Sequence, residues 1–268
     1  MKNKQFLAKS FVLLFILLLC SSHDLFIRMS SYYLKPHSKS TLMLFNGTFS
    51  QSENIITRNR MDDVVITGPS FLNHPDTTQW YDSGNETILN FNTGEPGTYV
   101  AGISTRPRTI YLNAADFNEY LEHDGVLDIL EKRKAEKQTD KPVNEKYAKH
   151  VKAIFQVGEL RTNNYLHELG YPLEFIPLRN PYELKPGDFL DVKLLSEGKP
   201  LAGKYVYVHS SVNEETGEQQ LITNNEGIIR VEINCAGEWY LRTIHMTKTT
   251  EENTDYLSHW STLTFGIR

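Results

Sequence analysis

Cysteine is almost absent from this sequence: two residues in 268, Cys20 and Cys235. Cys20 closes an N-terminal leader, so a processed chain keeps one thiol and has no internal disulfide. The fold must then be held by apolar cores, which a chain of this length can bury. Long apolar runs are missing too. Residues 11–19 are uniformly apolar, but nine residues fall well short of the ~20 that a transmembrane helix needs, and no later stretch comes nearer. Positive charge is in deficit, with 28 Lys and Arg against 33 Asp and Glu. Nucleic acid and anionic membranes are poor partners for such a surface, whereas cations are drawn to it. Catalytic signatures are lacking as well. There is no Gly-x-Ser-x-Gly elbow, Walker loop, His-Glu-x-x-His pair or dinucleotide fingerprint. The expectation is a protein that is not an enzyme, with Glu214-Glu215 and Glu251-Glu252 as solvated loop residues rather than acid–base machinery.

What is present begins at the N-terminus. Lys2, Lys4 and Lys9 precede or flank the apolar run, which gives way to Cys20-Ser21-Ser22 and then His23. A basic start, a short apolar core and a small-residue exit describe a signal peptide over residues 1–22, which predicts a periplasmic or secreted protein. Its loss removes three lysines and no acid, so the charge moves from −5 to −8 (25 basic against 33 acidic residues). His23 would then open the chain and offer an α-amine and an imidazole nitrogen to one transition-metal ion. Two other cuts compete. A chain beginning Ser21-Ser22-His23 could surround Cu or Ni in a square plane with its amine, two amides and the imidazole. A cut before Cys20 would create a lipid anchor, although Leu19 stands where Gly, Ala or Ser is expected.

Residues 25–34, 41–45, 63–67, 87–91 and 98–112 alternate apolar with polar side chains between turn residues such as Gly68-Pro69 and Glu95-Pro96-Gly97, which predicts antiparallel strands. Asn113 offers an N-cap, and Phe117, Tyr120, Leu121, Val126, Leu127 and Leu130 follow at roughly helical spacing. A second helix is expected over 144–155, after a polar linker at 134–142. Strands resume at 173–178, 189–195, 205–209, 228–233, 239–246 and 262–267, spaced like those of a small sandwich. The expected fold class is mainly β. Two β-sandwich domains, at 23–112 and 171–268, flank a helical insert at 113–170, and the C-terminal domain is immunoglobulin-like or transthyretin-like.

Several stretches together resemble a known family. They include His23-Asp24-Leu25-Phe26, Asn46-Gly47-Thr48-Phe49, Pro177-Leu178-Arg179-Asn180-Pro181-Tyr182 and Pro186-Gly187-Asp188, then Gly237-Glu238-Trp239-Tyr240, Ile244-His245-Met246 and Trp260-Ser261-Thr262. The chain resembles exported proteins of an uncharacterised domain class grouped with periplasmic components of nickel and cobalt uptake systems. That resemblance implies two β-domains, the handling of a divalent transition metal (Ni or Co, with Cu also open) and a membrane metal transporter as partner.

The candidate metal ligands are His23, His245, His259 and Asp255. His245 ends the 239–246 strand in the stretch where the resembled family also carries a histidine. His259 and Asp255 are expected in the loop between the last two strands, where His259 could meet His245 across the turn. His37, His74, His123, His150, His167 and His209 are scattered without the short spacing that builds a site locally. A reading of another class makes the chain a surface adhesion or interaction module binding protein or carbohydrate through Tyr32-Tyr33, Trp80-Tyr81 and Trp239-Tyr240. A third, a copper enzyme with a terminal histidine brace, needs a second histidine close to the first and an open coordination position.

Overall fold

β-Branched and aromatic residues alternating with polar ones form strands over most of the chain. The computed structural model describes residues 24–48, 50–212 and 218–268. The leader, Cys20, His23 and Glu214-Glu215 lie outside them. The first half contains β1 (Asp24–Met29), β2 (Tyr33–Leu34), β3 (Lys39–Gly47), β4 (Met61–Gly68), β5 (Phe71–Asn73), β6 (Trp80–Ser83), β7 (Glu86–Asn92), β8 (Gly97–Thr105) and β9 (Arg108–Leu112). Two helices follow, α1 (Ala114–His123) and α2 (Leu127–Ala135). The second half holds β10 (Val143–Val157), β11 (Leu173–Pro177), β12 (Phe189–Ser196), β13 (Lys199–Pro200), β14 (Tyr205–Ser210), β15 (Gln219–Ile222), β16 (Ile228–Glu232), β17 (Gly237–Lys248) and β18 (Tyr256–Ile267).

The fold is mainly β, and the described residues form three sheets. A ten-stranded sheet runs β15-β14-β17-β18-β10-β8-β4-β5, with β2 and β9 also paired to β10. A four-stranded sheet, β1-β3-β7-β6, belongs to the first half, and another joins β11, β12, β13 and β16 in the second. Trp239, Leu241, Leu263 and Phe265 of the large sheet share a core with Phe175, Val192 and Val231 of the latter. On the opposite face the Thr262 and Thr264 hydroxyls donate to the carbonyls of Leu25 and Ile27, laying β1 along β18.

The expected helix over 144–155 is a strand, and this changes the organisation. β10 pairs antiparallel with β8 and β9 and parallel with β18. The large sheet therefore crosses both expected boundaries, at 112 and at 170, and one apolar core extends from Leu25 and Leu44 to Ile233 and Phe265. The physical reason is burial on both faces. Beyond Lys149 every residue of β10 is buried, so Lys152, His150 and Gln156 mark no solvent face, and the period-2 signal disappears. The content of Val, Ile, Tyr and Phe was the better guide.

Among the described residues the α-helical part is confined to α1 and α2, beside four short 3-10 turns. Asn113 Oδ1 accepts from the Asp116 N–H at 2.9 Å and caps α1, and Phe117, Tyr120 and Leu121 form its buried face. Both helices pack on Ile244, Met246, Tyr256 and Trp260 of the large sheet. Gly125 separates them at φ 73°, where an added Cβ would lie 2.0 Å from the Tyr207 hydroxyl. Asn113→Ala is expected to cost about 1 kcal/mol, the usual loss for an N-cap, read as a lower urea midpoint at unchanged slope.

Candidate functional site

A histidine in a buried strand must find partners for two ring nitrogens. Three strands of the large sheet bring such residues to one face. β17 and β18 pair antiparallel with His245 directly opposite His259, a register that puts both side chains on the same side of the sheet. β10 runs parallel to β18 with His150 level with Ser261. From there its Nε2 lies 3.0 Å from His259 Nδ1. His150 Nδ1 in turn lies 2.9 Å from Ser104 Oγ on β8. The Tyr171 ring packs 5.7 Å from the His150 ring and donates its hydroxyl to Asp63 Oδ2 at 3.1 Å.

The imidazole pair is held neutral. Burial, with His259 beside it, pushes His150 down to about 3. Burial and then the Lys204 ammonium push His245 down to about 4. His259 is lowered by burial, with the Glu197 carboxylate pulling the other way. Two neutral rings in contact need one donor and one acceptor. Either His150 donates to His259 while accepting from Ser104, or both bonds reverse. His245 Nδ1 is buried and has no hydrogen-bond partner among the described residues.

The sequence-derived candidates are therefore divided. His245 and His259 come together, and His150 joins them. His259 stands within β18 rather than in the preceding loop, because Tyr256, Ser258 and Trp260 are buried at every second position and extend the strand backwards. Asp255 does not join. Its carboxylate accepts from the Asn144 N–H at 2.8 Å and its own N–H donates to the Asn144 carbonyl at 2.8 Å, which fastens β18 to the start of β10. Four residue steps along the chain, about 13 Å, then separate it from His259. His23 lies outside the described residues. Its neighbour Asp24 meets Arg242 at 3.5 Å, and Arg242 alternates with His245 onto the other face of the sheet. Among the described residues no three His, Cys, Asp or Glu side chains converge closely enough to hold a metal. The arrangement is a contacting pair with a third ring beside it.

His150 escaped the sequence reading because a helical 144–155 would have carried it away from β18. The signal available was Ala148, His150 and Lys152 at alternate positions in a stretch rich in β-branched and aromatic residues. Four of the other histidines sit beside carboxylates: His37 at Glu95, His74 at Asp63, His123 at Asp124 and His209 at Glu218. Of the three aromatic pairs, Tyr32, Trp80, Trp239 and Tyr240 are core residues, Tyr33 is half-buried and Tyr81 is exposed.

Residues 20–247 match the domain of unknown function DUF4198. The chain belongs to this family. The DUF4198 description carries no activity and no metal, and no curated protein matches the chain. Among solved structures the chain is similar to the D0–D1 domain of intimin, at 9% identity over 91% of this chain and 97% of that one, with a TM-score of 0.21. FdeC, an Escherichia coli adhesin, matches at 11% identity over 92% of this chain and 65% of its own, with a TM-score of 0.24. Murine CEACAM1b matches at 9% identity over 91% and 99%, with a TM-score of 0.22. Scores this low carry no argument about this DUF4198 chain. Among the described residues no helix is long and apolar enough to cross a membrane.

Proposed function

We propose that this protein binds a divalent transition metal through His150 and His259, with His245 as the adjacent third imidazole, and serves as an exported accessory protein of a metal-uptake system. The observation that carries the reading is the 3.0 Å separation of His150 Nε2 and His259 Nδ1. Two nitrogen ligands about 2.1 Å from one ion lie about 3.0 Å apart when they subtend about 90°. A right angle belongs to square-planar or octahedral coordination, which suits Ni, Co or Cu better than tetrahedral Zn. The hydrogen between the two rings would move to the remote nitrogen of its own ring, so that both ligate as neutral imidazoles, His150 keeping Nδ1–H toward Ser104 and His259 keeping Nε2–H. The partnerless His245 Nδ1 and the acidic net charge of the chain support the same reading. No ligand from the terminus is required. The export signal at residues 1–22 and the resemblance to nickel and cobalt uptake components supply the accessory role and a membrane transporter as partner.

Calorimetric titration of the processed protein with NiCl2, CoCl2 and CuCl2 tests it, with circular dichroism to show that each variant folds. One ion per chain is expected, with affinity falling about tenfold or more in His150→Ala and in His259→Ala and staying unchanged in His23→Ala. Absence of binding removes the proposal. Binding that survives both imidazole replacements and is lost with His23→Ala moves the site to the terminus.

A further inference from the structure

The first half carries an open groove of about 340 Å³ that is remote in sequence from the histidine cluster. It lies between β5, the edge strand of the large sheet, and residues 89–92 of β7, past the point where pairing with β6 ends at Trp80 and Leu89. The wall has a distinct chemistry. Asn73, Gln79, Asn90 and Asn92 contribute four carboxamides, apolar side chains that include Phe71 and Leu72 make up the rest, and no charged side chain lines it.

The carboxamides are arranged and partly unused. Asn90 Oδ1 accepts from the Thr41 hydroxyl at 2.9 Å and its Nδ2 donates to the Tyr81 hydroxyl at 3.4 Å, which fixes that side chain. Gln79 Oε1 accepts from the Asp76 N–H at 2.8 Å and keeps its amide nitrogen available. The Asn73 and Asn92 carboxamides make no hydrogen bond among the described residues. Asn90 and Asn92 alternate to the same face of β7, about 7 Å apart. Leu72 is 68% exposed beside them.

A carboxamide presents two donors and an acceptor at fixed positions. A neutral ligand that mixes donors with acceptors matches this wall best, because no charged side chain lines it to compensate an ion. Hydroxyl groups on a ring do this, and the C–H face of such a ring suits Phe71 and Leu72. An added peptide strand fits less well, because β5 offers an edge only three residues long. We infer that this groove binds a neutral saccharide.

The test uses the 15N-labelled processed protein with EDTA present, which separates the result from the metal reading. D-glucose, D-galactose, N-acetyl-D-glucosamine, maltose and cellobiose are titrated while the side-chain amide signals of Asn73 and Asn92 are followed. At least one sugar is expected to shift both signals saturably, and Asn73→Ala/Asn92→Ala is expected to weaken that sugar about tenfold with an unchanged thermal midpoint. The inference is overturned if none of the five moves these signals, or if a responding sugar binds the double variant as well as the parent. It is also overturned if D-glucuronate or a (Val-Thr)3 peptide binds there more tightly than every neutral sugar.

Discussion

Lys152→Ala is expected to remove about 3–5 kcal/mol of stability, the typical result of stranding one charge of a buried pair. For a chain of this size that corresponds to a thermal midpoint lower by about 6–20 °C. The Lys152 and Glu174 side chains are 2% and 3% exposed, and Nζ lies 2.6 Å from Oε1. Both charges are fully engaged. Nζ donates to Glu174, to the His167 carbonyl at 2.8 Å and to the Phe175 carbonyl at 3.3 Å, which uses all three of its protons. Glu174 accepts in addition from the N–H groups of Leu169 at 2.8 Å and Gly170 at 3.1 Å. Burial pulls the Lys152 ammonium below its ordinary pKa, and the Glu174 carboxylate opposes that pull. Removing the lysine leaves the carboxylate in the core with only two backbone donors. Lys152→Met/Glu174→Leu should recover part of the loss, because two apolar side chains pack where two charges were desolvated. It should stay about 1 kcal/mol below the parent, since the N–H groups of half-buried Leu169 and exposed Gly170 lose their carboxylate acceptor. Urea unfolding of the three proteins measures this. A cost under about 1 kcal/mol for Lys152→Ala would show that water reaches Glu174 or that it takes up a proton.

Acid is expected to weaken the metal-free protein through His150, by about 2–3 kcal/mol between pH 7.5 and pH 4.5. His150 in the folded chain protonates only near 3, whereas in the unfolded chain it protonates near 6.5. Above pH 6.5 neither state holds this proton, and the contribution is fully present. As pH falls from about 6.5 toward 3 the unfolded chain binds a proton that the folded chain refuses, so stability drops by about 1.4 kcal/mol per unit. The burial of the ring sets this direction, and the half-buried His245 adds to it. His150→Gln keeps an amide able to bond Ser104 and His259 but does not titrate. With EDTA present, its unfolding free energy should therefore fall less steeply with acid, and the gap to the parent should narrow by about 2–3 kcal/mol by pH 4.5. Parallel curves would mean that the folded protein takes up this proton over the same pH range as the unfolded chain, near 6.5.

The sequence disclosed most local structure and little of the long-range pairing. Strands such as β3 and β12 alternate because one face is buried, and Asn113 announces α1 because an orphan N–H needs an acceptor. β10 could not be read that way, since its two buried faces erase the alternation and leave lysine and histidine where a helix could equally carry them. His245 and His259 do meet, but as cross-strand partners within β17 and β18 rather than across the turn where a loop placement of His259 would put them. The approach of His150 was not legible, because it depends on a parallel pairing that no turn records. Asp255 was misjudged for a related reason: its partner is a backbone amide at Asn144, 111 residues away, and backbone partners leave no trace in side-chain patterns.

That distant pairing has a consequence for how the nascent chain becomes a protein. β10 is synthesised long before β18, so one whole edge of its backbone waits without its parallel neighbour. Closing a loop of this length is slow, and parallel pairing gains nothing until the closure is complete. In the interval β10 offers a long, greasy template to any passing strand. The same edge that later joins the two halves of the molecule is, for the time before β18 arrives, the place where a chaperone would have most to protect.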